Sequence, residues 1–397
     1  MKVGIQADDL TGACDTGAPF AARGLETVVL LPEAPIPALP RGVVVFDTES
    51  RALPAAEARA RACLAATRLA GFDPPVLYKK VDSTLRGSVA PEIAGALEGA
   101  GLPSAVLAPA FPAQRRVVVD GVMHIDRRPA DESPIARDPG FPATGASVLA
   151  LAGVAGPRPV ALVPLATVRR GPDAVAARLR RGVALVVCDA ETDQDLAVLA
   201  AATVEPPALR AGSAGFATAI AARIGTGRGQ SAARPRRPIL VVAGSAHPST
   251  RAQIARLRAC GVRSLHLGHD EAAGGLPPVA DGDCVLTTDT DLADRPRHGR
   301  EVVASQLAQV TRHVLAGTPS AEAPVVRYRS LLMTGGDTAF AVCRALGATG
   351  IRLGGELEAG LPYGTLLDGP FTGLAVITKA GGFGDPETLV RVVEACA

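Results

Sequence analysis

Short β-branched runs alternate with alanine-rich helical stretches along most of this chain, and that alternation limits its fold more than any other feature. Strands separated by helices form parallel sheets, because the chain must cross a face of the sheet before each new strand. Helices then cover both faces of the sheet. The sequence therefore predicts an α/β fold with mainly parallel sheets covered by helices. Before residue 225, the predicted strands are 2–7, 26–31, 43–47, 75–81, 104–108, 160–164 and 183–188.

The alternation stops once, at the segment GTGRGQSAARPRRP (225–238), which is rich in Gly, Pro and Arg and has no hydrophobic periodicity. Such a segment is typical of a linker, and 397 residues exceed the usual size of a single domain. We therefore predict one domain at 1–225, a linker at 226–238 and a second domain at 239–397. The predicted strands of the second domain are 239–245, 262–267, 283–287, 329–333, 350–353 and 372–379.

Composition and charge exclude several classes of partner. The formal net charge is +2, and the arginines are spread beside acids instead of forming a basic stripe. Aromatic residues make up only 3% of the chain, too few for base-stacking platforms. No apolar run reaches membrane-spanning length, and the chain opens with a strand-like segment instead of a signal peptide. We expect a cytoplasmic protein with neither a nucleic-acid nor a membrane partner.

Lysine is rare in this chain, and its positions indicate where anions bind. The four lysines are Lys2, Lys79, Lys80 and Lys379. Three of them lie in two segments that also contain glycine and hydroxyl residues, 78–88 and 378–385. A compact ammonium and a planar guanidinium are not interchangeable at such sites. The retained lysines therefore indicate recognition of phosphate or carboxylate, with chance placement as the alternative.

The first predicted strand ends at two adjacent acids, Asp8 and Asp9, before a helix. Open parallel sheets bind ligands at the carboxyl ends of their strands. An acid at this position is a candidate for accepting a proton or for holding a metal ion. Aspartate also commonly caps a helix, but capping requires only one of the two. The pattern predicts a functional role for at least one of them and leaves open which.

Two further strand ends in the first domain bear polar side chains. Arg51 follows the strand at 43–47, where its fork could bind a carboxylate, with a solvated surface arginine as the alternative. In YKKVDSTLRGS (78–88), Lys79 and Lys80 should point to opposite faces of the sheet, so only one should meet a ligand. The remaining polar residues of that segment suit a small polyhydroxylated anion. They are Asp82, Ser83, Thr84 and Arg86, and the loop at 109–116 adds Gln114, Arg115 and Arg116.

Three strands of the second domain end in turns rich in glycine and hydroxyl residues, at 244–249, 334–338 and 379–385. Backbone N–H groups at helix starts attract phosphate, and glycine allows its close approach. These turns predict a nucleotide site. The chain has no GxxxxGK[ST] loop and no GxGxxG segment opening a βαβ unit, so it is neither a P-loop enzyme nor an ordinary dinucleotide dehydrogenase.

Taken together, these segments resemble the four-carbon acid sugar kinases, which include the 3-oxo-tetronate, D-threonate and D-erythronate kinases. The resemblance covers the whole chain, with the motifs in the family's order. The matching segments are ADDLTGACDTG (7–17), ESR (49–51), YKKVDSTLRG (78–87), PAFPAQRR (109–116), VVAGSAHPST (241–250), TGGDTA (334–339) and TKAGGFGD (378–385).

The resemblance implies an acid-sugar domain followed by an ATP domain, with the active site in the inter-domain cleft. The expected reaction is ATP-dependent phosphorylation of the terminal hydroxyl of a small sugar acid, with Mg²⁺ and Lys379 offsetting phosphate charge. Asp8 or Asp9 would accept the hydroxyl proton, and Asp82 is a third candidate. The expected substrate-binding residues are Thr11, Arg51, Lys80, Asp82, Ser83 and Arg86. The expected ATP-binding residues are Ser245, Gly335, Gly336, Asp337, Thr338, Lys379 and Gly381.

Departures from the family pattern leave the identity of the acid open. Arg115 and Ser88 stand where the family usually has glycine and asparagine, and Ala90 also replaces glycine. Two other classes remain as alternatives: a non-catalytic sensor of sugar acid and nucleotide, and a hydroxy-acid oxidoreductase. His266 and His269 are a possible metal pair, but the sequence favours a surface strand end there, and no protein metal site is predicted. The oligomeric state is open, with a homodimer as one form to test.

Overall fold

A computed structural model describes residues 1–39, 41–138, 140–154, 159–181, 184–203, 208–225, 227, 232–245, 247–267, 282–288, 297–316 and 328–396. His269 and part of the predicted linker lie outside these residues. The chain divides into two compact units, Met1–Gly229 (unit 1) and Gln230–Ala397 (unit 2). The described residues form 18 strands and 12 α-helices, which confirms the α/β class predicted from the sequence.

Unit 1 is built on a fully parallel sheet of eight strands. Their order is β2-β3-β1-β4-β11-β5-β10-β9, with β1 near the middle. Strands such as Val3–Ala7 and Val43–Asp47 are buried along their whole length, as expected when helices cover both faces. The strands of unit 1 are β1 (Val3–Ala7), β2 (Thr27–Leu30), β3 (Val43–Asp47), β4 (Val76–Lys80), β5 (Ala105–Ala108), β6 (Arg116–Val119), β7 (Val122–Ile125), β8 (Arg128–Pro129), β9 (Val160–Val163), β10 (Leu185–Cys188) and β11 (Leu209–Gly212).

Two helices of unit 1 pack very closely through glycine. A Cβ placed on Gly95 would lie 2.2 Å from the carbonyl oxygen of Arg59, and one on Gly99 would lie 2.0 Å from that of Cys63. Larger residues are therefore excluded at both positions. The close approach fixes the position of the helix that contains Glu92. This residue forms an ion pair with Lys79, next to the candidate site described below. The helices are α1 (Leu10–Ala21), α2 (Ala55–Ala70), α3 (Val89–Ala100), α4 (Val148–Gly153), α5 (Leu165–Val168), α6 (Pro172–Leu179), α7 (Asp193–Ala202) and α8 (Ala214–Ile224).

Two features of unit 1 are not predicted from the sequence. The short strands β6, β7 and β8 form a separate antiparallel sheet. The central strand β11 was missed because its four residues include Arg210 and Gly212, which interrupt the apolar pattern. A Cβ on Gly212 would lie 2.4 Å from the carbonyl oxygen of Ala108. Glycine is therefore needed there by the packing of the sheet, although it weakens the strand signal.

Unit 2 has a mixed sheet with the strand order β13-β14-β12-β15-β18-β17-β16. The first five strands are parallel, and the last two are antiparallel to their neighbours. Strand β17 is not predicted from the sequence, because its segment PYGTLL contains proline and glycine. The elements are β12 (Ile239–Ala243), α9 (Pro248–Ala259), β13 (Arg263–Leu267), β14 (Cys284–Thr288), α10 (Arg297–Ala316), β15 (Ser330–Thr334), α11 (Gly336–Ala345), β16 (Gly350–Glu356), β17 (Pro362–Leu367), β18 (Ala375–Lys379) and α12 (Thr388–Ala395).

A helix that spans a bilayer needs about 20 predominantly apolar residues, and this requirement applies to the helices of the described ranges. None of the helices in this part of the chain is both long enough and apolar enough to cross a membrane.

Candidate active site

Three neighbouring strands of unit 1 end at one edge of its sheet, and their loops contain most of the predicted substrate residues. β1 pairs in parallel with β3 on one side and with β4 on the other. The backbone N–H groups of Ser50 and Arg51 both donate to the carbonyl oxygen of Asp8, at 3.0 and 3.1 Å. These bonds hold the loop after β3 against the loop after β1. Arg51 therefore lies beside the acid pair.

The guanidinium of Arg51 lies on the carboxylate of Asp8. Its Nε donates to Asp8 Oδ2 at 2.6 Å and its Nη2 donates to Asp8 Oδ1 at 2.9 Å, the bidentate geometry of a strong ion pair. Burial raises the pKa of the Asp8 carboxyl, but the charge of Arg51 and its neighbours outweighs burial and lowers that pKa overall. The Nη1 group of Arg51 donates to no residue in the described ranges, so it is available to a ligand.

Asp9 caps helix α1. Its Oδ1 accepts from the backbone N–H of Gly12 at 3.0 Å, and its Oδ2 accepts from the Thr11 hydroxyl at 2.7 Å. Arg51 Nη2 also donates to Asp9 Oδ1, at 2.7 Å. The capping role that the sequence analysis left open for one of the two acids therefore belongs to Asp9, and Thr11 is part of the cap.

The segment after β4 is organised around Asp82. Arg86 donates to it twice, from Nε to Oδ2 at 3.0 Å and from Nη2 to Oδ1 at 3.1 Å. The hydroxyl of Thr84 donates to the same carboxylate. Burial raises the pKa of Asp82, but the charge of Arg86 helps to hold it well below the ordinary value. Ser83 accepts a hydrogen bond from Arg116, so the loop at 109–116 reaches this cluster through Arg116.

The two adjacent lysines of β4 have different surroundings, as strand alternation predicts. Lys79 is fully buried, and its Nζ lies 2.9 Å from Glu92 Oε2. Lys80 is 4% exposed and faces the acids, since its charge lowers the pKa values of Asp8 and Asp82. A Cβ on Gly12 would lie 3.0 Å from Lys80 Nζ. Within the described ranges, Lys80 forms no hydrogen bond or ion pair.

Asp15, in the second turn of α1, is a site residue that the sequence analysis did not select. The residue is 6% exposed, and its Oδ1 is buried without a hydrogen-bond partner among the described residues. Burial raises its pKa to about 6, against the opposing charges of Lys80 and Arg116. A signal was present in the sequence: Asp15 is the only charged residue in LTGACDTGAPFA, a stretch that is otherwise suited to complete burial.

Asp47, the last residue of β3, is a second buried carboxyl at this edge. Its Oδ1 accepts from the backbone N–H of Glu49 at 3.0 Å, while Oδ2 has no hydrogen-bond partner in the described part of the chain. Burial, together with the charge of Asp9, raises its pKa to about 8. Asp47 is therefore mainly protonated at neutral pH. It differs in this respect from Asp8 and Asp82.

In unit 2, three turns meet at the ends of β12, β15 and β18. Gly335 has φ of +98°, and a Cβ on it would lie 3.4 Å from Ser245 Cβ. A Cβ on Gly381 would lie 2.2 Å from Ser245 Oγ. A Cβ on Gly244 would lie 2.2 Å from the hydroxyl of Thr338. The predicted nucleotide residues are thus brought together, and the absence of side chains is what allows these turns to approach each other.

Hydrogen bonds to the backbone fix the turn after β18. The Thr250 hydroxyl donates to the carbonyl of Gly381 at 2.8 Å. Lys379 Nζ donates to the carbonyls of Ala380 at 2.9 Å and Gly381 at 3.3 Å. Burial lowers the pKa of Lys379 to about 7. In this structure the ammonium therefore braces the glycine turn, and its predicted contact with phosphate stays a prediction.

The nucleotide region contains one carboxylate suited to a phosphate-bound cation. Asp337 is exposed in the first turn of α11, beside Gly335 and Gly336. Mg²⁺ commonly binds one or two carboxylates together with substrate phosphates. An exposed acid at a glycine turn fits that pattern. In the described ranges, no group of three or more His, Cys, Asp or Glu side chains is arranged to hold a metal by itself.

Two family models match this chain. One, described as a sugar-binding N-terminal domain, covers residues 3–220, and the other, described as a nucleotide-binding C-terminal domain, covers residues 240–389. The first contains the charged cluster of unit 1. The second contains the three glycine turns of unit 2.

Curated proteins similar to this chain are kinases of small sugar acids. The chain is 33% identical to a D-threonate kinase of Salmonella typhimurium, over 98% of this chain and 97% of that protein. It is 38% identical to a D-threonate kinase of Cupriavidus necator, over 97% and 95%. It is 31% identical to a 3-oxo-tetronate kinase of Methylobacterium radiotolerans, over the full length of both.

Solved structures have the same fold. A crystal structure from Salmonella typhimurium has a TM-score of 0.79 over 98% of both chains, and at 23% identity it is evidence for the fold alone. A Bordetella bronchiseptica protein, crystallised with citrate as a domain-swapped dimer, has a TM-score of 0.50 at 33% identity. That match covers 100% of this chain and 98% of the other.

Proposed function

Because the chain belongs to the four-carbon acid sugar kinase family, we propose that it transfers the γ-phosphoryl group of ATP to the terminal hydroxyl of D-threonate. The D-threonate kinases named above are 33% and 38% identical to the chain, and the 3-oxo-tetronate kinase is 31% identical. These differences favour D-threonate over the oxo acid. The kinase activity follows from the family, and the choice of acid is the finer part of the proposal.

The observation that most supports substrate binding in unit 1 is the state of Lys80. Its side chain is 4% exposed at the ligand-binding edge of a parallel sheet, and its ammonium is unpaired within the described residues. An unpaired buried cation is costly, so a site of this kind favours an anionic ligand. We propose that Lys80 pairs with the carboxylate of the sugar acid. Arg51 Nη1 is the second donor proposed for it.

The remaining charged residues would orient the acid. Asp82, Ser83 and Arg86 form a fixed arrangement of donors and acceptors that suits the hydroxyl groups of a short sugar acid. Asp8 and Asp9 both accept hydrogen bonds from Arg51, and Asp9 also accepts one from the Thr11 hydroxyl. Such an arrangement is set before the ligand arrives, which lowers the entropic cost of binding it.

ATP is proposed to bind at the three glycine turns of unit 2. The N-terminus of α11, with Gly335 and Gly336, offers backbone N–H groups and the positive end of the helix to phosphate oxygens. Ser245 and Gly381 would form the opposite side of this cradle. Asp337 would hold Mg²⁺ together with the phosphates. When bound, the ion would neutralise charge that develops during phosphoryl transfer.

A coupled assay of ADP release over a panel of four-carbon acids tests the activity and the acid together. The panel contains D-threonate, L-threonate, D-erythronate and a 3-oxo-tetronate. We expect D-threonate to give the highest kcat/KM. Turnover with another acid and none with D-threonate would contradict the choice of substrate. Calorimetric binding of both ATP and an acid without ADP release would favour the sensor alternative.

We also propose that the protein forms a homodimer, since the Bordetella bronchiseptica relative was crystallised as a domain-swapped dimer. Light scattering coupled to size-exclusion chromatography measures the mass in solution. A mass of 40.3 kDa would correspond to the single chain and would contradict the proposal.

A further inference from the structure

We propose that Asp15 accepts the proton of the substrate hydroxyl during phosphoryl transfer, a role that sequence analysis had assigned to Asp8 or Asp9. This inference rests on the proposed kinase function and names the group that performs its proton transfer.

Asp15 points into the charged cluster from helix α1. It is 6% exposed, and its Oδ1 has no hydrogen-bond partner among the described residues. Buried polar atoms in native proteins are nearly always hydrogen-bonded, so an unpartnered carboxylate oxygen needs an explanation. A substrate hydroxyl that donates to this oxygen would supply the missing partner.

The other carboxylates of the cluster are already engaged. Both oxygens of Asp8 accept from Arg51. The oxygens of Asp9 accept from the start of α1, from Thr11 and from Arg51. Both oxygens of Asp82 accept from Arg86. A proton on any of these acids would weaken an ion pair that the acid already makes, whereas Asp15 makes no ion pair among the described residues.

The surroundings of Asp15 also give it a suitable proton affinity. The charged groups that act on it are Lys80 of β4, Arg116 of β6, Asp9 before α1 and Asp82 after β4, and Tyr78 of β4 is a titratable neighbour. Burial raises the pKa of Asp15 to about 6, against the lowering effect of the two cations. A general base works best when its pKa lies near the operating pH.

The proposed step is balanced as follows. The substrate hydroxyl donates its proton to a carboxylate oxygen of Asp15 as its own oxygen forms a bond to the γ-phosphorus of ATP. The bond between that phosphorus and the bridging oxygen breaks, and ADP leaves with the electron pair. Protonated Asp15 then releases its proton to solvent, and the enzyme returns to its starting state.

The first test compares Asp15→Asn with the parent enzyme at saturating MgATP. Asparagine keeps the shape of the side chain but cannot accept the proton. We expect kcat to fall by about 10²–10⁴-fold, the usual contribution of a positioned general base. The KM for the acid should change by less than about threefold, because a base acts mainly in the transition state. Unchanged kcat would overturn the proposal, and so would a raised KM at constant kcat.

Asp47→Asn is the matched control. It makes the same substitution in another buried carboxyl at the same sheet edge, and Asp47 is already mainly protonated at neutral pH. Its kcat should stay within about threefold of the parent value. Asp8→Asn extends the comparison: a larger loss of kcat in this variant than in Asp15→Asn would return the role of base to Asp8.

The second test uses the unaltered enzyme, so it does not depend on the folding of a variant. At saturating MgATP, kcat/KM for the acid should fall below a pH of about 6, by up to tenfold per pH unit. A flat profile down to pH 5 would overturn the proposal. The absence of turnover with every acid of the panel would contradict the kinase function itself. A flat pH profile in an active enzyme would contradict only the role of Asp15.

Discussion

The two candidate sites differ in the groups that they offer to an anion. The site in unit 1 offers charged side chains: Lys80 and Arg51 lie among the buried acids Asp8, Asp9 and Asp82. The site in unit 2 offers backbone groups and open space, because glycine turns meet around Ser245. The single lysine of unit 2, Lys379, donates to backbone carbonyls of the turn after β18.

The difference follows from the two ligands that we propose. A four-carbon acid is small and offers one carboxylate and a few hydroxyls, so discrimination requires donors and acceptors at fixed places. A triphosphate offers many equivalent oxygens, which backbone N–H groups and a helix end can bind without a specific side chain. Substitutions should therefore act by different mechanisms in the two units. Charge changes should matter in unit 1, and added volume should matter in unit 2.

The largest expected effect comes from volume in unit 2. Gly381→Val should abolish ATP binding, by more than about 10³-fold in Kd, because even a Cβ at this position would lie 2.2 Å from Ser245 Oγ. Binding of the sugar acid should be unchanged. Calorimetry with each ligand measures both. Gly153→Ala is the control, since no atom of the described residues lies within 4 Å of a Cβ there. Unchanged ATP affinity in folded Gly381→Val protein would contradict the cradle.

The reciprocal experiment removes a charge from unit 1. Lys80→Ala should lower kcat/KM for the acid by roughly 10²–10³-fold, because truncating one partner of a buried charge pair costs about 2–5 kcal/mol. Lys80→Arg should not restore activity, because Lys80 Nζ already lies close to helix α1. A Cβ on Gly12 would be 3.0 Å from Nζ, so the longer arginine side chain should not fit in the same place. ATP affinity should not change in either variant.

Lys2→Arg is the matched control for the lysine variants. Among the described residues Lys2 Nζ donates to the carbonyl of Ile224 alone, at 2.9 Å, and Lys2 lies outside both candidate sites. Its kinetics should stay within about twofold of the parent values. Near-parental turnover in Lys80→Arg would mean that the retained lysine was placed by chance.

A third substitution separates stability from binding in unit 1. Arg51→Met leaves Asp8 buried without its bidentate partner, and Asp9 loses a donor. We expect a loss of roughly 3 kcal/mol in the free energy of unfolding, at the lower end for broken buried pairs because Arg51 is 22% exposed. Denaturant unfolding measures it. Asp8 should also regain a higher pKa, so the loss should shrink as pH falls toward 4 and this carboxyl becomes neutral.

The smallest expected effect is a pH dependence in unit 2. The pKa of Lys379 falls from 10.5 in the unfolded chain to about 7 in the fold. Between these values the unfolded state binds more protons, so the contribution of Lys379 to stability rises with pH, by at most about 1.4 kcal/mol per unit. Lys379→Met should lack this part of the slope between pH 7 and 9. An identical slope in both proteins would mean that the amine is not desolvated.

Sequence reasoning was most successful where one physical rule decides the structure. Strand β3 was predicted because complete burial leaves an unbroken apolar run, Val43 to Phe46. The different surroundings of Lys79 and Lys80 followed from strand alternation. The capping role of one acid was also expected, although only the geometry assigns it to Asp9.

The rest depended on contacts that local patterns do not encode. Asp15 was missed because an acid inside a helix normally faces solvent, and only the packing around α1 buries it. Arg116 was considered with its neighbours Gln114 and Arg115, but only the structure separates it from Arg115, whose side chain is 81% exposed. Strand β11 was not predicted because Arg210 and Gly212 interrupt its apolar pattern. Both residues pair with strands β4 and β5, which are distant in the chain.

The most direct test of this account is the structure of the reaction product. The enzyme is incubated with MgATP and D-threonate, and the product is examined by ³¹P NMR without proton decoupling. Phosphorylation of the terminal hydroxyl places phosphorus next to a CH₂ group, so we predict a triplet from the new phosphate ester. A doublet would mean transfer to an inner hydroxyl and would contradict the proposed position. The absence of any new ester signal, with every acid of the panel, would contradict the kinase account itself.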